Sequence, residues 1–270
     1  LIHAEIERIH TEYQQLRMHF PPGFSFTLDE YKWAKSMVNS RTFRLRPEDG
    51  GDEVMVPLAD MMDHHAPHHN VSWAGKTGAG FLCMATSDVS HNGPLTLSYG
   101  RKGNGKLFYA YGFTLQDNRN DDTELSFPAL DDGSGAAAIS FRPVACYNHA
   151  GTRKMFAHLR SLHGEEPRAA LMSAASRENE LAVLDALRHN CRERIAGFPA
   201  LPQASMEPAS RLSSRVQNAL RVREGELQVL HYLLALAEAG TDFLNGRAAS
   251  GFDDYLSELE PLLQAEAVTA

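Results

Sequence analysis

The spacing of apolar residues changes partway along this chain of 270 residues. In the first part, short apolar runs such as 54–58, 81–85 and 95–99 lie between glycine- and asparagine-rich turns, which is typical of short β-strands. Beyond about residue 150, leucines recur every three or four positions, which is the spacing of amphipathic helices. The pattern predicts an α+β fold of short strands followed by an all-helical C-terminal part.

Two helices are predicted before the first strand. Isoleucines and a tyrosine recur at helical spacing over residues 2–13, and the prolines at 21 and 22 end that pattern. Thr27 and Glu30 have the spacing of a capping box, so a second helix is expected to begin there and to end near Arg41. The residues expected to face inward are Tyr31, Ala34, Met37 and Val38.

The second half contains two predicted leucine stripes and one short final helix. The first stripe is Leu181, Leu184, Leu187, Cys191 and Ile195. The second is Val216, Leu220, Leu227, Leu230 and Leu234, in a helical segment from about Met206 to Ala239. We expect an exposed loop or linker at 131–135 and the final helix at about 253–263.

Charge and composition exclude several classes of function. Lys and Arg number 26 against 34 Asp and Glu, which gives a net charge of −8, so we expect no nucleic-acid partner, while a basic protein or peptide stays open. No apolar run has the roughly 20 residues that a membrane span needs, so no membrane partner is expected. The 3 cysteines are far apart, which argues against a disulfide framework and suits a reducing, intracellular compartment.

Residues 64–69 include two pairs of histidines. Neutral imidazoles are good ligands for transition metals, so a zinc site is one interpretation and a solvated loop is the other. Ala66-Pro67 separates the pairs, and no carboxylate or thiol spacing supports them. We therefore expect no metal, and we expect His65, His68 and His69 to be solvated loop residues.

Residues 95–113 combine glycines with tyrosines. The spacing of Gly100, Gly103 and Gly105 fits neither the P-loop nor a dinucleotide-binding fingerprint, so support for a phosphate-binding loop is weak. Taken alone, Tyr99 and Tyr111 are also consistent with aromatic residues of a core.

Five short motifs follow one another in an order that resembles a known family. They are Ser40-Arg41-Thr42-Phe43, then Val56-Pro57-Leu58-Ala59-Asp60 with Asp63-His64, Ser98-Tyr99-Gly100, Lys102-Gly103-Asn104 and Tyr111-Gly112-Phe113. The order resembles the SET-domain protein methyltransferases, and more narrowly the group of the Rubisco large-subunit lysine methyltransferase. By resemblance, residues 1–128 are a partial SET domain with a helical insert at 1–46 and a SET core at 50–128. Residues 136–265 then resemble the group's helical substrate-binding domain.

The resemblance implies a function and a set of site residues. It implies S-adenosyl-L-methionine as the cofactor and a protein lysine N-methyltransferase acting on a non-histone protein. It makes Tyr99 the catalytic residue. It assigns Asp60, Asp63, His64, Tyr99 and Tyr111 to cofactor binding, and Arg41 and Tyr111 to substrate binding. The helical C-terminal domain would bind the protein substrate, and we expect a monomer.

Two departures from the group's pattern leave alternatives open. The group has asparagine where this chain has Asp63, and the motifs here begin after the group's G-x-G strand, which covers the methionine end of the cofactor. The first residue is Leu1 rather than Met, which we expect of a processed chain or a fragment. We still expect a protein lysine N-methyltransferase, and the alternatives are an enzyme that is inactive as this fragment and a catalytically impaired SET-derived protein-interaction module. A protein histidine methyltransferase on the same scaffold is the further alternative, since some members of the group modify an actin histidine.

Overall fold

The structure is a computed structural model that describes residues 2–21, 23–46, 48, 50–65, 68–130, 137–164, 176–201, 211–246 and 256. The predicted linker at 131–135 lies outside the described residues, as does the predicted final helix at 253–263 except for Leu256. Contacts divide the chain into two compact units, residues 1–101 with 109–112 and residues 102–108 with 113–270. The domain bounds 1–128 and 136–265 rest on the positions of motifs and stay a prediction.

The first unit begins with two helices, α1 (Ile2–His19) and α2 (Leu28–Arg41). The predicted capping box at the start of α2 is confirmed. The hydroxyl of Thr27 accepts from the Glu30 N–H at 3.2 Å, and the Glu30 carboxylate accepts from the Thr27 N–H at 2.7 Å. These bonds satisfy two donors that no earlier turn of helix can pair, and they fix where α2 begins.

The inward face of α2 is narrower than predicted. Tyr31 and Met37 are half-buried, but Ala34 and Val38 are exposed, so the prediction that these two face inward is wrong. The helix meets α1 through a small aromatic contact, in which the ring of Tyr31 lies 5.9 Å from that of Tyr13. Since no residue of α2 is fully buried, its apolar spacing reflects a contact along one edge rather than a core face.

The strands of the first unit are short and pair two by two. β1 (Thr42–Arg44) and β2 (Glu53–Met55) are antiparallel, as are β4 (Val71–Lys76) and β5 (Gly80–Ala85), whereas β3 (Asp63–His64) and β6 (Thr96–Leu97) are parallel. The strand predicted at 81–85 is confirmed, while those at 54–58 and 95–99 are shorter than predicted. Proline cannot donate to a ladder, and Pro57 lies where the turn after β2 begins.

Residues 104–111 form helix α3 (Asn104–Tyr111). The sequence interpretation, which placed only short strands and loops between 50 and 128, is wrong at this point. The carboxylate of Asp121 accepts the Asn104 N–H at 2.5 Å and the Asn104 side-chain amide at 3.0 Å. The N-terminal end of α3 is therefore capped by a residue that is distant along the chain, and a local pattern does not contain that partner.

The described residues of the second unit include three long helices and one strand pair. The helices are α4 (Ala150–His163), α5 (Arg177–Ala196) and α6 (Ser214–Gly246), and β7 (Leu125–Pro128) pairs with β8 (Ala138–Phe141) in antiparallel register. The helical character predicted beyond residue 150 is confirmed, whereas β8 was not predicted.

The core of the second unit lies between α4, α5 and α6. The stripe predicted on α5 is confirmed, because Leu184, Leu187 and Cys191 are fully buried and the flanking Leu181 and Ile195 are half-buried. The stripe predicted on α6 is displaced. Its fully buried residues are Gly225, Val229, Leu230, Leu233, Leu236, Ala237, Gly240 and Leu244. Since α6 has 33 residues and α5 has 20, α5 can cover only part of α6, and that part begins later than the predicted stripe.

The ion pair between Arg160 and Glu180 lies inside this apolar core. Arg160 donates from Nε to Glu180 at 2.8 Å and from Nη2 at 2.7 Å, and the two side chains are 2% and 0% exposed. A bidentate pair of this geometry compensates much of the cost of burying two charges. The pair joins α4 to the first turn of α5.

Candidate active site

A tight turn at residues 56–62 connects β2 to β3. The N–H of Asp60 donates to the carbonyl of Val56 at 3.0 Å, and one turn of 3-10 helix follows at Ala59–Met61. Leu58 has φ = 74°, a conformation that costs a residue with a side chain roughly 1–3 kcal/mol. Its side chain is 83% exposed, so burial of Leu58 does not compensate this strain. Backbone hydrogen bonds and the buried Ala59 hold the turn instead.

The parallel pairing of β3 with β6 brings the end of this turn beside the strand that leads to Tyr99. His64 lies opposite Leu97 in the register, and the N–H of His65 donates to the Leu97 carbonyl at 3.0 Å. The side chain of Asn70 also binds β6, because its Oδ1 accepts a hydrogen bond from the Thr96 N–H at 2.8 Å. Sequence reasoning missed Asn70, and its position at the end of the histidine-rich segment was the one available signal.

Tyr99 lies two residues beyond β6, and its phenol reaches the turn. The O–H donates to the Met62 carbonyl at 2.7 Å. The Tyr99 N–H donates to Nδ1 of His64 at 3.1 Å, and the two rings stack with centroids 5.1 Å apart and planes 28° apart. Gly100 follows with φ = 92°, which glycine adopts without steric cost. The structure thus brings Tyr99 and His64 together, although they are distant along the chain.

Tyr111, the last residue of α3, lies against Tyr99. The ring centroids are 4.8 Å apart. Burial raises the pKa of both phenols, and the Asp63 carboxylate raises the pKa of Tyr99 further. Both side chains are therefore neutral O–H groups at neutral pH. Two adjacent aromatic rings of this kind attract a cation, and the attraction is worth about 0.5–2 kcal/mol.

Arg41 and Asp60 form a second pair at the turn. Nη1 of Arg41 lies 3.3 Å from Oδ2 of Asp60, and the Asp60 side chain is 11% exposed while that of Arg41 is 36% exposed. The Asp60 carboxylate is thus directed at Arg41. The guanidinium has five N–H donors in all, and its exposed part can reach a further acceptor.

The remaining predicted site residue is Asp63, and the histidines expected to lie in a solvated loop follow it. The side chain of Asp63 is exposed at the start of β3. His65 and His68 are exposed, as expected for solvated loop residues, whereas His69 is half-buried. Within the described ranges, no group of three or more His, Cys, Asp and Glu side chains is arranged to hold a metal ion. No helix in the described part of the chain is long and apolar enough to cross a membrane.

Comparisons of the sequence and of the fold with known proteins both point to the same group of proteins. Residues 116–230 match the family model described as Rubisco LSMT substrate-binding. The chloroplastic ribulose-1,5 bisphosphate carboxylase/oxygenase large subunit N-methyltransferase of Pisum sativum is 28% identical over 250 residues, which cover 78% of this chain and 50% of the pea enzyme. This chain is related to the SET-domain protein methyltransferases of the Rubisco LSMT group. It spans about half the length of the pea enzyme.

Two further comparisons define how far the relationship extends. The solved structure of Rubisco LSMT bound to AdoMet has a TM-score of 0.66 at 21% identity and covers 89% of this chain and 63% of that one. This likeness confirms the predicted α+β, SET-type fold. The actin-histidine N-methyltransferase of Xenopus tropicalis is 28% identical over 108 residues, which are 37% of this chain and 18% of that enzyme. Relatives of this chain therefore include an enzyme named for a histidine acceptor.

Proposed function

We propose that this protein is an S-adenosylmethionine-dependent protein methyltransferase whose acceptor is a lysine of a non-histone protein. The observation that carries the proposal is the contact of the Tyr99 phenol with the turn at Met62, 2.7 Å from oxygen to oxygen, beside the ring of Tyr111. This contact joins two of the sequence motifs into one site. The similarity to the pea enzyme supports the reaction class.

The residues at the turn suit the proposed cofactor. S-Adenosylmethionine carries a sulfonium, an ammonium and a carboxylate, and when bound it supplies an electrophilic methyl group. The adjacent rings of Tyr99 and Tyr111 suit a cation such as the sulfonium. The exposed carboxylate of Asp63 suits the ammonium, so the replacement of the group's asparagine by aspartate is compatible with binding. Asp60 and His64 would contribute through the backbone of the turn.

We assign Tyr99 the role of orienting the acceptor. An amine attacks a methyl group only as the neutral base, and a solvated lysine has a pKa of about 10.4, which desolvation lowers. The Tyr99 hydroxyl donates its proton to the Met62 carbonyl, so a lone pair of its oxygen can accept a hydrogen bond from the N–H of the substrate amine. Because burial raises the pKa of Tyr99, the phenol stays neutral and orients the amine without becoming a phenolate.

Protein recognition is assigned to two features. The side chain of Arg41 is partly exposed at the turn, so its guanidinium can bind the substrate there. The ion pair with Asp60 fixes the position of the guanidinium. Residues 116–230 match a substrate-binding family model, so we assign the binding of the protein substrate to the helical part of the chain. We keep the expectation that the protein acts as a monomer.

The test is methyl transfer by the purified chain and by its Tyr99→Phe variant. Labelled S-adenosylmethionine is incubated with each protein and a cell extract, cofactor affinity is measured by calorimetry, and the acceptor atom is mapped by mass spectrometry. We expect methylated lysine, and a loss of transfer of about a hundredfold in Tyr99→Phe with little change in cofactor affinity. Tyr13→Phe is the matched control, because the Tyr13 hydroxyl also donates to a backbone carbonyl, that of Phe26, at 3.0 Å.

The same experiment separates the alternatives. Methylated histidine as the only product would replace lysine by histidine as the acceptor, which the similarity to the actin-histidine enzyme favours as the second candidate. Cofactor binding without transfer, or no binding at all, would favour the interaction module or an enzyme that is inactive as this fragment. Equal transfer by wild type and Tyr99→Phe would remove Tyr99 from its assigned role.

A further inference from the structure

The imidazole of His64 faces Tyr99 rather than solvent. Its ring stacks on the Tyr99 ring, and its Nδ1 lies 3.1 Å from the Tyr99 backbone nitrogen, with the N–H directed at it. An N–H can donate to Nδ1 only if Nδ1 carries a lone pair, so the proton of the neutral ring is on Nε2. The carbonyl of Leu97 lies 3.3 Å from the same Nδ1, farther than the Tyr99 nitrogen, and accepts from the His65 N–H at 3.0 Å.

The hydrogen bond from Tyr99 continues the ladder of β3 and β6 beyond its last residue pair. The parallel register ends at His64 opposite Leu97, and the chain leaves the strand at Ser98. Beyond this pair, the Tyr99 N–H donates to the side chain of His64, a residue of β3, instead of to a backbone carbonyl. The imidazole therefore takes the place of a backbone acceptor at the point where strand pairing ends.

The contacts fix both ends of Tyr99. The bond to Nδ1 fixes the backbone nitrogen, the stacked rings restrict the plane of the phenol, and the O–H donates to Met62, two residues before His64. Residues 62–64 thus hold the nitrogen, the ring and the hydroxyl of one tyrosine. A small change in any of these contacts would move the phenol oxygen away from the turn.

From these contacts we infer that His64 is a positioning residue: its imidazole holds Tyr99 at the turn through the Nδ1 bond and the stacked ring. This role rests on the proposed function only where turnover is measured, because the contact itself can be observed in the isolated chain. It assigns to the side chain of His64 a partner within the protein, in addition to any contact that the backbone of the turn makes with a cofactor.

Two variants separate the contributions of Nδ1 and of the ring. His64→Asn keeps an acceptor, because Oδ1 is attached to Cγ as Nδ1 is, but it removes the ring. His64→Leu removes both the acceptor and the ring. His65→Leu is the matched control, since the neighbouring imidazole is exposed and the backbone bond of His65 to Leu97 is unaffected by a change of side chain.

The first measurement does not depend on methyl transfer. Nitrogen NMR on histidine- and tyrosine-labelled protein reports the tautomer of His64 and the hydrogen exchange of the Tyr99 amide. We expect a proton on Nε2, a loss of amide protection of about tenfold in His64→Leu, and recovery of protection in His64→Asn. A proton on Nδ1, or equal protection in wild type and His64→Leu, would overturn the inference.

The second measurement is turnover. We expect His64→Leu to lower kcat by about 10- to 100-fold with little change in KM for the cofactor, and His64→Asn to recover part of the loss. An unchanged kcat in His64→Leu would overturn the inference even if the NMR contacts are present. If the wild-type chain transfers no methyl group to any acceptor, the proposed function fails, and the NMR result alone decides whether His64 holds Tyr99.

Discussion

Substitution of Gly225 by alanine tests the packing of α6 against the residue that caps α3. Gly225 is buried on α6, and a β-carbon built on it lies 2.5 Å from Cγ and 3.1 Å from Cβ of Asp121. Carbon atoms in contact are normally about 3.5–4.0 Å apart, so the new methyl group overlaps the carboxyl group. The same carboxyl group accepts two hydrogen bonds from Asn104, and it cannot turn aside without losing at least one of them.

The expected loss of stability follows from these contacts. Overpacking of a core costs about 1–3 kcal/mol, and the loss of a hydrogen bond to a charged group costs about 1.5–3 kcal/mol. Alanine recovers about 1 kcal/mol through its higher helix propensity. The net loss is therefore about 3 kcal/mol, which corresponds to a fall in Tm of about 6–12 °C for a unit of this size.

The assay is thermal unfolding followed by circular dichroism, with Gly246→Ala as the matched control. Gly246 ends the same helix, and among the described residues outside that helix no atom lies within 4 Å of a β-carbon built on it, so we expect its Tm to be unchanged or slightly raised. The loss caused by Gly225→Ala should be smaller in an Asp121→Ala background, because the overlap with the carboxyl group is then removed and only the 3.1 Å approach to Cβ of residue 121 is left. Equal Tm values for Gly225→Ala and Gly246→Ala would refute the reasoning.

Two further predictions concern charged groups of the second unit. Glu180→Ala leaves Arg160 buried without its carboxylate, so we expect a loss of about 3–5 kcal/mol in urea unfolding. Asp185→Ala breaks a surface pair with Arg188 and should cost less than about 1 kcal/mol, and similar losses in the two variants would contradict the assignment. Burial raises the pKa of Asp121 from 3.8 to about 6, so the folded state keeps a proton that the unfolded state has lost, and the free energy of unfolding should fall as pH rises through this window. Asp121→Asn should remove that dependence, and parallel pH profiles of wild type and variant would argue against it.

Elements that depend on neighbours along the chain were predictable. The capping box of Thr27 and Glu30 needs only residues three apart, and both of its hydrogen bonds are present. The stripe on α5 repeats every three or four residues and lies in the core as expected. By contrast, α3 depends on Asp121, and the buried part of α6 depends on which turns α5 covers, so neither followed from local spacing.

The motifs of the candidate site could be found in the sequence, but their contacts could not. The order of the motifs was sufficient to single out Tyr99, Tyr111, Arg41 and the turn at 60–64. Which groups meet there depends on the parallel pairing of β3 with β6, which joins segments more than thirty residues apart. The acceptor of the Tyr99 hydroxyl is a backbone carbonyl, that of Met62, and every residue has one. A side-chain pattern cannot identify such a partner, because the tertiary structure determines which backbone carbonyl lies within reach of the hydroxyl.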